Sequence, residues 1–459
     1  MTSLIIVLFI IGYFFIATEH TFKLDKTIPA LLTAAILWGL LSIGFYQGWF
    51  SIIDTEGHIY NFLQGGEDAQ EGFHNTLLHH LGKTSEILVF LMGAMTIVEI
   101  IDLHRGFEIL KSYVKTNSRR KLLWIIGFLA FFLSAVIDNL TATIVLVTLL
   151  RKLVSDKAVR LWYVGLIVIA ANAGGAWSPI GDVTTTMLWI AKKISTLGLI
   201  EHVLLPSILN FVVVFAIASF LPVFNGTVNS TNDNNDFLQQ ERLLSSKTML
   251  YLGLGMILFV PIFKMLTHLP PYLGMMFSLG IVWLVSEYIH PEENFTEERK
   301  HLYSAHLALS RIEISSILFF LGILMAVAAL EALVYGSING VEMGTLRYLA
   351  EALQQTLPNV EMVVVLLGIF SSIIDNVPLV AASIGMFSYE LDHIIWHMIA
   401  YSAGTGGSIL IIGSAAGVAA MGMEKIDFFW YLKKISWLAL LGFLIGFVIF
   451  WIERIYFFE

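Results

Sequence analysis

The stretch Ser134-Ala-Val-Ile-Asp-Asn-Leu-Thr-Ala-Thr143 sets a carboxylate and an amide in the middle of an apolar run from Leu122 to Leu150. As one helix that run would measure about 43 Å at ~1.5 Å per residue, too long for a single ~30 Å crossing and too short for two. Both of its flanks are basic: Arg119, Arg120 and Lys121 precede it, and Arg151, Lys152, Lys157 and Arg160 follow. Basic short loops stay on the cytoplasmic side, so the run should leave and re-enter on that side. The reading is a re-entrant hairpin with Asp138 and Asn139 at its tip near mid-membrane. Non-helical backbone at that depth is tolerated only where protein or a watery cavity covers it.

The rest of the chain has a matching character. Its 459 residues are 57% hydrophobic and 13% charged, with a mean hydropathy of +0.80, far from the balance of a soluble domain. Runs such as Leu4 to Ala17, Ile28 to Phe45, Ile87 to Ile101 and Val203 to Phe224 approach the ~20 residues of a membrane helix. None alternates with period two, which excludes a barrel. The first run has no basic leader and no small-residue cleavage site, and reads as a retained helix. With no cysteine there is no thiol chemistry, and the net charge of -9 includes no basic tract for nucleic acid. From Gln47 to Gly82 there is no Lys or Arg but five acids, which reads as an outer loop. His104 to Lys121 is basic and inner, so the N-terminus falls outside.

The same grammar returns in Ser371-Ser-Ile-Ile-Asp-Asn-Val-Pro-Leu-Val380, now between acidic flanks and so entering from outside. Each hairpin follows a related helix, EILVFLMGAM from Glu86 and SILFFLGILM from Ser316. Each precedes a glycine-broken segment, Asn172 to Thr186 and Gly404 to Gly417. The fold class expected is an all-α polytopic membrane protein of two inverted-topology repeats, each with five transmembrane helices, one of them broken, and a re-entrant hairpin. Residues 1–224 form the first repeat (hairpin 122–150, broken helix 161–191), 225–246 a cytoplasmic linker, and 247–459 the second repeat (hairpin 362–389, broken helix 394–423). Lys192-Lys193, placed outside by this count, is the one misfit. Such inverted repeats are the architecture of secondary transporters, with substrate and coupling ion near the midplane.

An ionised Asp near the bilayer centre costs several kcal/mol unless it faces a cavity or partner. Asp138 and Asp375 either cap the helix that starts at each tip or hold an ion; the two readings are compatible. Asp138, Asn139, Asp375 and Asn376, with hydroxyls such as Ser134, Thr141, Ser371 and Ser372, offer hard oxygen donors that suit sodium or a proton. Gly174, Gly175, Pro179 and Gly181 either unwind the helix or allow close packing. Asp182, Thr184 and Thr185 follow the break, and Ser414 stands where the second copy would carry the acid. A buried carboxylate for which proton and sodium compete is sufficient for exchange. Glu86 and Glu99 are either interfacial acids or gating and pH-sensing groups, and His80, beside His79, is a pH sensor or an interfacial residue.

EILVFLMGAMTIVE, SAVIDNLTATIV, NAGGAWSPIGDVTTTMLW, SSIIDNVPLVAA and GTGGSILIIGSAAG together resemble the NhaD-type sodium/proton antiporters of the ion transporter superfamily. The resemblance implies Na+ and often Li+ efflux in exchange for H+ at alkaline pH. It implies no cofactor, a bacterial inner membrane, and a homodimer with a scaffold and a moving, elevator-type transport domain. It also implies importance for Ser134, Asp138, Asn139, Asn172, Asp182, Thr184, Thr185, Ser371 and Asn376. An anion, dicarboxylate or arsenite transporter of the same superfamily is the alternative, opposed by three acids and no base within the hairpins and breaks. An intramembrane aspartyl protease would need neither Asp375 nor a duplication.

Overall fold

The computed structural model describes residues 2–18, 22, 24–114, 116–228, 243–291, 303–338, 340–356, 359–373 and 376–453. The chain is almost wholly helical. Helices α1 (Thr2–Ala17), α2 (Thr27–Tyr46) and α3 (Phe62–Leu103) open it, followed by α4 (Glu108–Tyr113), α5 (Arg119–Ile137), α6 (Asn139–Leu153), α7 (Lys157–Ala176), α8 (Val183–Ile190) and α9 (Thr196–Ser219). The second half holds α10 (Ser246–Thr267), α11 (Pro271–Tyr288), α12 (Ala305–Arg311), α13 (Ile314–Ala332), α14 (Thr345–Thr356), α15 (Val360–Phe370), α16 (Asn376–Met386), α17 (Ile394–Gly406), α18 (Ala415–Glu424), α19 (Phe428–Lys434) and α20 (Ser436–Glu453). Among the described residues seven helices are long and apolar enough to span a membrane. Their outer faces carry large exposed side chains such as Ile36, Leu205, Leu266 and Val448, a density of exposed apolar surface that suits lipid. This is a polytopic all-α membrane protein.

Two antiparallel hairpins interrupt the helices. Strands β1 (Ile52–Ile53) and β2 (Ile59–Tyr60) pair Ile52 with Tyr60, and β3 (Val334–Ile338) and β4 (Val341–Gly344) pair Val334 with Gly344. A bridge from Ile52 to Leu333 joins them.

One expectation needs adjusting. The acidic segment Gln47 to Gly82 is a loop only as far as Asn61, whose side chain caps α3 by accepting from the Leu63 amide at 3.1 Å. With 42 residues, α3 would be ~63 Å long, about twice the hydrocarbon thickness. Its acidic first turns, bent at Gly66 (φ 54°), are solvated, and only the apolar remainder from Ile87 has membrane character. A helix continues through polar sequence where no proline or cap stops it, so hydropathy bounds the span but not the helix. Lys193 and Lys264 lie over the Trp396 and Trp189 rings at 4.8 and 4.1 Å, a cation–π setting that offsets the placement of Lys193. Most of the linker, residues 229–242, lies outside the described residues, as does Asp375.

The helices pack as two groups. Helices α1, α2, α3, α10, α11 and α13 pack chiefly on one another, with α2 against α13 the most extensive pair. Helices α5 to α9 pack with α15 to α20. Within the second group the same contacts occur twice. Ser134 Oγ donates to the Ala171 carbonyl at 2.6 Å, and Ser371 Oγ to that of Ala403 at 3.0 Å. A Cβ on Gly174 would lie 2.0 Å from the Phe131 carbonyl oxygen, and one on Gly406 2.1 Å from that of Gly368. Glycine is therefore required there for close approach, within helices that remain wound. The breaks themselves fall after Ala176 and after Gly406.

Candidate functional site

Four helices begin at one place. Asp138 ends α5 and caps α6, Asp182 caps α8, Ser414 caps α18, and α16 starts at Asn376. Asp138 can end one helix and begin the next without an intervening turn because its backbone lies at φ 76°, ψ 158°. This region is nearly reserved for glycine and costs about 1–3 kcal/mol. Its carboxylate accepts from the Thr141 amide and hydroxyl, both at 2.8 Å. It is thus a helix cap, and it also faces a cavity.

That cavity, of about 80 Å³, is lined by Asp138, Asn139, Thr141, Asp182, Thr186 and Asn376 from the second helix group and by Phe90, Met95, Val98, Met275 and Phe320 from the first. Asn139 donates through Nδ2 to Asp182 Oδ2 at 2.5 Å and to Asn172 Oδ1 at 3.2 Å. The other Asp182 oxygen accepts from the Thr184 amide and hydroxyl at 2.8 and 2.7 Å. Asn172 Nδ2 donates to Val168 O at 2.8 Å and to Ser414 Oγ at 3.1 Å, tying the two halves of the chain together. Asp182, Asn139, Asn172 and Ser414 are all at least 95% buried. Buried polar groups carry a desolvation cost that only complete pairing offsets, so this network fixes its members in place.

The residues singled out from the sequence divide by role. Asp138, Asn139, Asp182 and Asn376 line the cavity. Asn172 and Ser414 hold that lining from behind. Thr184 caps on Asp182, and Thr185 closes the break by donating to Ser178 O and Asp182 O at 2.7 and 2.9 Å. Ser134 and Ser371 spend their hydrogens bracing neighbouring helices. Glu99 lines a second, wider cavity of about 780 Å³ with Asp102, Arg105, Glu108, Lys152 and Arg311. Glu86 and the buried His80 line neither cavity; the His80 ring lies 6.2 Å from that of Trp38.

Val98 and Thr141 belong to the walls of both cavities, so the wide cavity lies beside the small one. Sequence reasoning missed Lys26, which lines the small cavity with its ammonium over the Phe319 ring at 4.4 Å. Its signal was weak because Lys26 is distant in sequence from every hairpin and break.

The profile of the citrate transporter family (CitMHS) matches residues 6–399. Sodium/proton antiporter 1 of Arabidopsis thaliana is 43% identical over 96% of this chain and 70% of its own length. The Na(+)/H(+) antiporters NhaD of Alkalimonas amylolytica and Vibrio cholerae are 31% and 30% identical, over 93% and 97% of this chain and 86% and 90% of theirs. The crystal structure of the YdaH transporter of Alcanivorax borkumensis matches with a TM-score of 0.58 at 12% identity, over 94% of this chain and 98% of that one, a likeness of fold. With these relatives 30–43% identical over 70–90% of their own lengths, the chain belongs to the NhaD-type sodium/proton antiporters of the ion transporter superfamily, a family of carriers and not of enzymes.

Proposed function

We propose that the protein exchanges cytoplasmic Na+, and Li+, for external H+ in sodium and pH homeostasis. The observation that carries this reading is the convergence of two carboxylates, Asp138 and Asp182, and two amides, Asn139 and Asn376, on one small cavity. Hard oxygen donors in a confined space suit a dehydrated alkali cation. A carboxylate that binds either the cation or a proton couples the two flows by competition. Asp375 completes the acidic set, with Na+ held at Asp138, Asn139, Asp375 and Asn376, and Ser134, Asn172, Thr184, Thr185, Ser371 and Ser414 holding those donors in place. Glu99 in the wide cavity, and Glu86 and His80 beyond it, supply gating or pH response.

The paired contacts of Ser134 with Ala171 and Ser371 with Ala403 support a duplicated, inverted architecture with re-entrant hairpins. The separation into two helix groups supports an elevator-type motion of the site-bearing group against a scaffold. The wide cavity at the basic end would make this conformation open to the cytoplasm. The superfamily resemblance adds a homodimer, and the bacterial NhaD relatives favour a bacterial inner membrane with the N-terminus outside.

A second reading has an observation of its own. Lys26 in the cavity and four helix starts around it could hold an anion, a dicarboxylate or citrate. Proton flux in everted vesicles on adding Na+, Li+ or K+, beside uptake of labelled citrate and succinate, separates the two. Exchange with Na+ that disappears in Asp182→Asn supports the antiporter; carboxylate uptake without Na+-dependent proton flux overturns it.

A further inference from the structure

Arg151, Arg160 and Glu424 lie outside both cavities and take no part in the chemistry above. Glu424 is 3% exposed at the end of α18. Its Oε1 accepts from Arg151 Nε on α6 at 2.6 Å and its Oε2 from Arg160 Nε on α7 at 3.0 Å. One further nitrogen of each guanidinium is also engaged: Arg151 Nη2 reaches the Met423 carbonyl, and Arg160 Nη1 reaches those of Val154 and Ser155 at 2.7 and 3.3 Å.

These residues sit on three of the helices that reach the site. Helix α6 carries Asn139 at one end and Arg151 near the other, α7 carries Arg160 near its start and Asn172 towards its end, and α18 is capped by Ser414 and ends at Glu424. Each helix thus contributes one residue to the Asn139–Asn172–Ser414 chain and one to the Arg151–Glu424–Arg160 clamp, which lies 10–12 residues, ~15–18 Å, away.

We propose that Glu424 is a positioning residue for the ion site. By giving one carboxylate oxygen to each of two helices from the first half, it fixes the spacing of the three helices whose other ends hold the donors. A buried ion pair is a poor source of stability compared with apolar packing, and its best-attested use is to set register. Two arginines directed at separate oxygens of one acid define such a register, which an apolar contact would not. The inference rests on the antiporter reading.

The test is Na+-driven proton flux with Glu424→Gln, which keeps the size of the side chain and removes its charge. The half-saturating Na+ concentration should rise about tenfold, the usual effect of removing a group that orients metal ligands, while the maximal rate changes less. Should Glu424→Gln fail to reach the membrane, Arg160→Lys, which keeps the charge and loses the planar donor, should shift half-saturation in the same direction. The chain contains no cysteine, so Glu424→Cys with Arg160→Cys introduces the only thiols. Bridging these with bifunctional thiosulfonates of graded length should restore half-saturation to within about twofold, reversibly with reductant, if spacing rather than charge matters. An inserted Glu424→Gln or Arg160→Lys with unaltered half-saturation overturns the proposal, as does a cysteine pair whose defect no bridge changes. A parent protein without Na+-dependent flux defeats the antiporter reading instead.

Discussion

Asp138 combines three demands in one side chain. It caps α6, lines the cavity, and occupies a backbone conformation suited to glycine. Asp138→Gly relieves backbone strain of about 1–3 kcal/mol and loses a cap worth about 1 kcal/mol. The purified variant should therefore melt close to the parent while Na+-dependent proton flux disappears. Retained flux would show that Asp138 serves only the helix start. Asn139 differs, since its amide bridges Asp182 and Asn172 within the network. Asn139→Ala should raise half-saturating Na+ by roughly 10–100-fold in vesicle assays, because two buried acceptors lose their donor. Both residues stood out in the sequence because a charge and an amide inside an apolar run are costly. Lys26 did not, because a lysine near a helix start is ordinary until the fold turns it inward.

The helices and breaks were largely readable from hydropathy, glycine spacing and flanking charge. Helices end at Ile137, Ala176 and Gly406, beside the first Asp-Asn motif and the two glycine-rich segments, whereas the extent of α3 does not follow from its apolar part. The glycines carry the most specific prediction at this level. In Gly174→Ala the new methyl would sit 2.0 Å from the Phe131 carbonyl oxygen, and backbone cannot yield as a flexible side chain can. A loss of about 1–3 kcal/mol, seen as lower melting temperature and poor membrane yield, is expected. Gly422→Ala in α18 meets nothing within 4 Å and should be neutral or gain up to about 1 kcal/mol from helix propensity. Equal behaviour of the two variants would remove close approach as the reason for Gly174.

In the complete molecule, the wide cavity lies between the two helix groups. Thr148 lies exposed in that cavity on α6, close to Lys152 and Glu108. In a chain without native cysteine, Thr148→Cys should react with a membrane-impermeant maleimide in everted vesicles and remain unmodified in right-side-out ones. Labelling from the opposite face alone would invert the proposed orientation.

The sequence by itself determined the membrane class, the repeat of Asp-Asn within apolar runs, and the residue types that an ion site needs. All of these depend on local composition and on the cost of polar groups in lipid, which act along the chain. The tertiary structure alone decided that Asp182 pairs with Asn139, that Ser414 reaches Asn172 across the two halves, that Lys26 joins the cavity, and that Glu424 clamps two arginines. These contacts join residues far apart in the chain, and their energies exist only once packing has removed water and brought the partners within bonding distance.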